Sequence, residues 1–355
     1  MRRLFSVVFL AIFILSVFVA FAQAAELPLE AYNPHLMKDE FYSEQWSASI
    51  WAENGYYVHV QFAISNIGMG DHKGVVKVEV THPDEKREGA YLRVNGDWNY
   101  EKEVFKLNFN GNVWEKQGEK FHVKAGDDDI NTELTLTVES DPWRPGGKRG
   151  FYRRGKNIYD SVLLAPRMKA EGVLNLKGKK LAIKGQGLWD HSFSNIAPHK
   201  LAKRWLKFKY YDGDFTMLFT GLAEPSSGKD INRSWIWMGK GDKTLFHAMN
   251  PKVKYADEKE EGKYKVPQKI LIRTKSGKRS LGVDIRQKKL LRRKDALMNL
   301  SKVERFVVER FAAPIDYTFN GDFLIQLSVP GKDGGEPKVI KIKGNSDYVM
   351  QYLNK

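Results

Sequence analysis

Tyr56-Tyr-Val-His-Val-Gln-Phe-Ala-Ile-Ser65 and Gly74-Val-Val-Lys-Val-Glu-Val-Thr81 decide the fold class. In both, apolar and polar residues alternate with a period of two, which turns one face of an extended chain to a core and the other to water. The same pattern, in short runs broken by Gly, Asn, Asp and Pro, recurs at 104–109, 121–123 and 132–138. A second series follows at 167–174, 180–184, 205–211, 215–222, 234–238, 269–273, 317–319 and 323–329. Short strands at turn spacing predict an all-β protein of antiparallel sheets. Between the series, Asp141-Pro-Trp-Arg-Pro-Gly-Gly-Lys-Arg-Gly150 is rich in residues that interrupt both strand and helix. The expected boundary lies near 141–166, giving an N-terminal β domain over 25–160 and a C-terminal one over 161–355. Each is expected to be a barrel or sandwich, and a barrel of about eight strands can enclose one ligand.

Residues 290–311 depart from this pattern. Leu290, Leu297, Leu300, Val303, Val307 and Phe311 recur mostly every three or four residues, with Arg292, Arg293, Lys294, Lys302, Arg305 and Arg310 between them. That spacing predicts a basic amphipathic helix near 292–311, ending before Pro314, which either caps a barrel or lies on a membrane surface.

The N-terminus reads as a signal peptide over 1–24: Arg2 and Arg3, an apolar run from Leu4 to Phe21, then Ala22-Gln-Ala24 as a cleavage site. Retention of the run as an anchor is the alternative. A periplasmic or secreted protein is expected. Cleavage removes two arginines and no acids, so the formal charge falls from +15 to +13. A basic surface favours encounter with anionic polymers and headgroups, so peripheral contact with an anionic membrane is expected, and export argues against nucleic acid. With no cysteine, the fold has neither disulfide nor lipoprotein anchor, and its stability comes from a buried core.

The densest chemistry lies in Gly185-Gln-Gly-Leu-Trp-Asp-His-Ser-Phe-Ser194, followed by His199, Arg204 and Trp205 and read as a polar loop. A carboxylate beside an imidazole can fix its tautomer and move its pKa, which makes Asp190 and His191 the best acid/base pair available. Strand neighbours point to opposite faces, however, and the plain alternative is a turn cap and a structural hydrogen bond. Phosphate loops, His-Glu-x-x-His helices and Gly-x-Ser-x-Gly elbows are absent from the sequence. The histidines have no zinc-like spacing, so no metal and no cofactor are expected. Trp189, Phe193, Trp205, Trp235 and Trp237 concentrate in one part of the chain. They line either an apolar ligand cavity or an ordinary aromatic core, with Trp235 and Trp237 on one face of their strand.

These residues carry a family resemblance. Gln61-Phe-Ala-Ile-Ser-Asn-Ile-Gly68, Ala165-Pro-Arg-Met-Lys-Ala-Glu-Gly172 and Pro198-His-Lys-Leu-Ala-Lys-Arg-Trp205 resemble segments, in the same order, of the yeast survival-factor family of two-domain lipocalin-like proteins. Gly187-Leu-Trp-Asp-His-Ser-Phe-Ser194 more distantly resembles the Asp-His loop of carotenoid hydratases and AttH-like relatives. Two features depart from the pattern: survival-factor proteins are intracellular, and Ser194-Asn195 replaces the usual Gln-Gly. The resemblance implies a binding or transfer protein for a large apolar ligand such as a lipid, ceramide or isoprenoid, held in a β-barrel. Trp189, Phe193, Trp205, Trp235 and Trp237 would then meet the apolar part, and His199 or Arg204 its polar head. The alternative it implies is a hydratase or cyclase that protonates a polyene through Asp190, with His191 assisting.

Overall fold

The computed structural model describes residues 28–353 apart from 68–70, 95, 296, 299–304, 306–308, 310–313 and 332–334. The expected signal peptide lies outside the described residues. The protein is all-β, as its alternation requires. The first sheet uses β1 (Ser43–Ala52), β2 (Tyr57–Ser65), β3 (Lys73–Thr81), β4 (Arg87–Val94), β5 (Trp98–Glu101), β6 (Lys106–Phe109), β7 (Asn112–Gln117), β8 (Lys120–Gly126), β9 (Ile130–Val138), β10 (Tyr152–Arg154), β11 (Asn157–Leu176) and β12 (Lys179–Ser194). The second uses β13 (Arg204–Asp212), β14 (Phe215–Ala223), β15 (Arg233–Lys240), β16 (Lys243–Met249), β17 (Lys252–Glu261), β18 (Tyr264–Ser276), β19 (Arg279–Asp295), β20 (Ile315–Val329) and β21 (Lys338–Tyr352). Neighbours pair antiparallel, in the orders β4-β3-β2-β1-β12-β11-β9-β8-β7-β6-β5 and β16-β15-β14-β13-β21-β20-β19-β18-β17, with β10 on β11. The sheets curl into a nearly closed barrel and a half-barrel. One short helix, α1 (Pro198–Leu201), lies between them.

The sheets divide between Ser194 and Arg204, later than the expected 141–166. β11 and β12 pair with β9 and β1, so they belong to the first sheet. The Pro- and Gly-rich stretch is an edge of that sheet: Trp143 bridges Leu163, and Arg144 pairs with buried Asp160, which also accepts the Phe151 N–H at 3.1 Å. Nor is Gly185–Ser194 a loop. Its glycines serve close strand approach, since a Cβ at Gly187 would stand 2.2 Å from the Ser49 carbonyl oxygen on β1. The helix expected at 292–311 is corrected at its start only. Arg292–Asp295 continue β19, because pairing with β20 extends to Asp295 opposite Ile315. Most of the remaining span of that expected helix lies outside the described residues; of those described, the Glu309 N–H donates to the Arg305 carbonyl at 2.9 Å. Among the described residues no helix is long and apolar enough to cross a membrane.

Both inner faces are packed. Trp46, Phe62, Phe105, Phe109, Trp114 and Trp189 are fully buried within the first sheet, and Phe208, Phe219, Tyr317 and Tyr348 within the second. A third apolar cluster joins the sheets, uniting Tyr159, Leu163 and Leu188 of the first with Trp205, Leu218, Trp235 and Trp237 of the second. Burying each such side chain stabilises the fold by about 1.5–3 kcal/mol, which makes the junction between the sheets part of the folded structure.

Candidate functional site

Strands β1 and β12 lie side by side in the first sheet, with Trp46 opposite His191 and Ser47 opposite Asp190. Alternation therefore sends Glu44, Trp46, His191 and Phe193 to the inner face, and Ser47, Ser49 and Asp190 to the face that meets the second sheet. The paired residues Asp190 and His191 are thus separated by the strand itself.

On the inner face, Glu44 is buried at the centre of a cluster. Its Oε1 lies 2.6 Å from His191 Nε2 and 2.6 Å from His35 Nδ1. Its Oε2 accepts the His35 N–H at 2.8 Å and a short bond from the Tyr42 hydroxyl. His191 Nδ1 lies 2.8 Å from the Ala31 carbonyl oxygen, and its ring stacks on Trp46 at 4.7 Å. Burial by itself would raise the Glu44 carboxyl, but the hydrogen bonds and charge of His191 and His35 outweigh it and hold the pKa at about 2. Burial and this carboxylate push the Tyr42 phenol far above its ordinary value. His35, Glu44 and His191 offer three donor atoms within 4.8 Å of one another, a set able to hold a metal ion.

The outer face carries a different network. Ser47 Oγ donates to Asp190 Oδ1 at 2.6 Å, and Lys209 Nζ from β13 lies 3.9 Å from Asp190 Oδ2. Ser49 Oγ accepts from the Tyr57 hydroxyl at 3.1 Å and from Lys209 Nζ at 3.3 Å, which leaves its own hydrogen for His59 Nδ1 at 3.1 Å. Burial, then Lys209 and Lys77, depress His59 to about 3 against the pull of Glu79 and Asp190, so the ring is neutral and accepts. Burial raises the Tyr57 phenol to about 12. Lys207 is exposed by its surface, yet burial lowers its pKa; Asp190 opposes that effect and Lys209 adds to it.

This ionisable strip adjoins the aromatic junction. Trp205, Lys207, Lys209 and Tyr211 follow one another on one face of β13, and Tyr211 stacks on Trp51 of β1 at 5.0 Å. Trp235 and Trp237 do share a face, as their spacing requires, and their indole N–H groups are buried without a partner.

The residues singled out from the sequence separate into three places. Trp205, Trp235, Trp237 and Asp190 stand at the junction of the sheets. Trp189 lies inside the first sheet, 4.4 Å from Phe121 and 5.2 Å from Trp114 by ring centroid, and Phe193 stacks on His35 at 3.6 Å. Arg204 sits over Tyr255 at 5.2 Å with Asp230 3.6 Å away, and His199, lowered by burial and by Lys200, is on α1. Sequence reasoning missed Glu44, His35, Ser47, Ser49, Tyr57, His59, Lys207 and Lys209. The one available signal was on β13, where both alternating faces contain aromatic residues, so neither is a plain solvent face.

The sequence matches the Svf1 family over residues 38–344, across both sheets and both networks apart from Ala31 and His35 of the inner one. The chain belongs to the Svf1 family. Among curated proteins none matches in sequence. Solved structures with the same fold include kievitone hydratase from Nectria haematococca, with TM-score 0.56, 14% identity and 92% of each chain covered. An AttH-like protein from Nitrosomonas europaea aligns with TM-score 0.60 and 13% identity over 95% of this chain and 99% of its own. CghA, crystallised with Sch210972, aligns with TM-score 0.58 and 12% identity over 89% of each chain. Family and fold together make this Svf1-family protein a lipocalin-like protein.

Proposed function

We propose that this Svf1-family protein binds and transfers a large ligand with an apolar body and a polar, preferably anionic, end, seated between the two sheets. The observation that carries this reading is the continuity of the Trp205, Trp235 and Trp237 wall with the Lys207, Lys209 and Asp190 strip on facing strands. Buried apolar area supplies affinity at about 0.8 kcal/mol per methylene, while a few placed polar groups fix orientation. With both inner faces packed, the proposed seat is the junction, the buried Trp235 and Trp237 parting to admit the ligand. Export through the N-terminal signal, action in the periplasm or outside the cell, and docking of the basic surface on an anionic membrane belong to the same proposal.

The polyene fatty acid cis-parinaric acid tests it, because excited tryptophan transfers energy to the bound polyene. Saturable transfer is expected, lost in Trp235→Ala and Trp237→Ala and weakened about tenfold in Lys209→Met for the acid but not for its methyl ester. Absence of saturable transfer in the unaltered protein would sink the reading.

A second reading has support from one observation: Asp190 shares the outer network with Tyr57 and neutral His59, an acid/base set different from the Asp190–His191 pair. With kievitone hydratase sharing the fold, that set suits addition of water to a carbon–carbon double bond, the Tyr57 phenol holding the proton to be given and the Asp190 carboxylate facing the cation.

A further inference from the structure

On the inner face, both ring nitrogens of His191 meet acceptors. A carbonyl oxygen can only accept, so Nδ1, 2.8 Å from Ala31 O, carries a hydrogen. Nε2 of a neutral ring would then turn its lone pair onto Glu44 Oε1 at 2.6 Å, between side chains only 1% and 0% exposed. Two lone pairs that close, out of water, repel; a cation has to lie between them. It is either a proton or a metal ion.

We propose that His35, Glu44 and His191 form a binding site for one divalent transition metal ion, with zinc the best fit. Protons on both rings satisfy these contacts as hydrogen bonds, and two imidazoles on one buried carboxylate are equally the donors of a single ion, for which the second ring must converge on the same oxygen. His35 Nδ1 does so, at 2.6 Å. Two imidazoles and a carboxylate are a zinc donor set that leaves a fourth position open. The surroundings also have the form that orients metal ligands. The His191 Nδ1–H is held by a backbone carbonyl, and Glu44 Oε2 by Tyr42 and the His35 N–H. Each imidazole is stacked: His191 on Trp46 with 13° between planes, and His35 on Phe193 with 26°. The His35 side chain is 33% exposed, which gives an ion a way in and a water a place as fourth ligand. Donors around a tetrahedral ion with bonds of about 2.0 Å stand about 3.3 Å apart, so loading widens both 2.6 Å contacts by roughly 0.7 Å, the half-exposed His35 ring moving outward and the Glu44 carboxylate turning away from His191.

The test is to strip the full chain with a chelator and titrate it with Co²⁺, then with Zn²⁺. One equivalent of Co²⁺ should give the visible absorption of a four-coordinate site, Zn²⁺ should displace it, and either ion should raise Tm. His35→Ala, whose ring is the most exposed of the three, and Glu44→Gln should each weaken Co²⁺ binding more than about 100-fold. His59→Gln, on the opposite face, should leave it unchanged. Wild-type protein that takes up neither ion, or His35→Ala that binds Co²⁺ as tightly as wild type, overturns the proposal and leaves a proton as the bridge. This site does not depend on the ligand proposed between the sheets.

Discussion

Glu44 and Ser47 are three residues apart on β1, and His191 and Asp190 are adjacent on β12, yet the two faces of this strand pair differ in kind. The inner network is nearly closed: Glu44 is buried with every lone pair engaged, its partners include the segment before β1, and His35 is its one side chain that reaches solvent. The outer network is half-open, crosses to a second sheet through Lys209, and keeps Lys207 in contact with solvent. In the first, low dielectric makes every missing partner costly; in the second, water can stand in for one. The inner face is therefore suited to hold something fixed, and the outer face to exchange it.

The largest effect is expected from Glu44→Ala. It leaves the buried His191 Nε2 without its carboxylate, and removal of one partner from a buried pair costs about 3–5 kcal/mol. Urea unfolding should show this loss, with Glu44→Gln intermediate. A loss below about 1 kcal/mol would mean that the inner cluster does not hold the segment before β1 in place.

The two networks were unequally legible in the sequence. Strands with one buried face, such as β2 and β3, announce themselves because their burial alternates strictly. β1 does not, since Trp46 through Ile50 are buried on both faces, and Glu44 looks like a solvent charge until its partner 147 residues away is placed beside it. Asp190 and His191 were visible as chemistry, and strand geometry already warned that they diverge; which neighbours each would meet depended on pairing with β1 and β13. Lys207 and Lys209 read as surface charges because nothing local says that a second sheet packs over them. Pro and Gly at 141–150 suggested a linker for the same reason: the contact that ties them down, Arg144 with Asp160, is tertiary.

A smaller effect on folding, but a clear one on binding, is expected from Asp190→Asn. The Asp190 side chain is 19% exposed, and its attraction to Lys209 at 3.9 Å is partly screened, so the stability loss should be about 1 kcal/mol. The change frees Lys209 for an anionic ligand and should tighten binding of cis-parinaric acid about threefold to tenfold, measured by energy transfer. Unchanged affinity would separate the polar strip from the ligand site. Under the catalytic reading the same variant binds substrate and forms no product.

The smallest effect is a matter of pH. His59 takes up its proton near pH 3 when folded, whereas an unfolded histidine does so near its ordinary 6.5. Between these values the unfolded state binds more protons, so this residue makes stability fall as pH drops through that window and contributes nothing above it. The His59 side chain is only partly buried, which limits the contribution to about 1 kcal/mol at pH 5. Comparison of thermal unfolding at pH 8 and pH 5 isolates it: His59→Gln should lose less stability on acidification than the unaltered protein, by a few degrees in Tm. Parallel losses in both would mean that His59 is protonated in the folded protein over this range. Ser49 would then have to turn its hydrogen away from Nδ1, and the outer network would lose the order that sets it beside the nearly closed inner one.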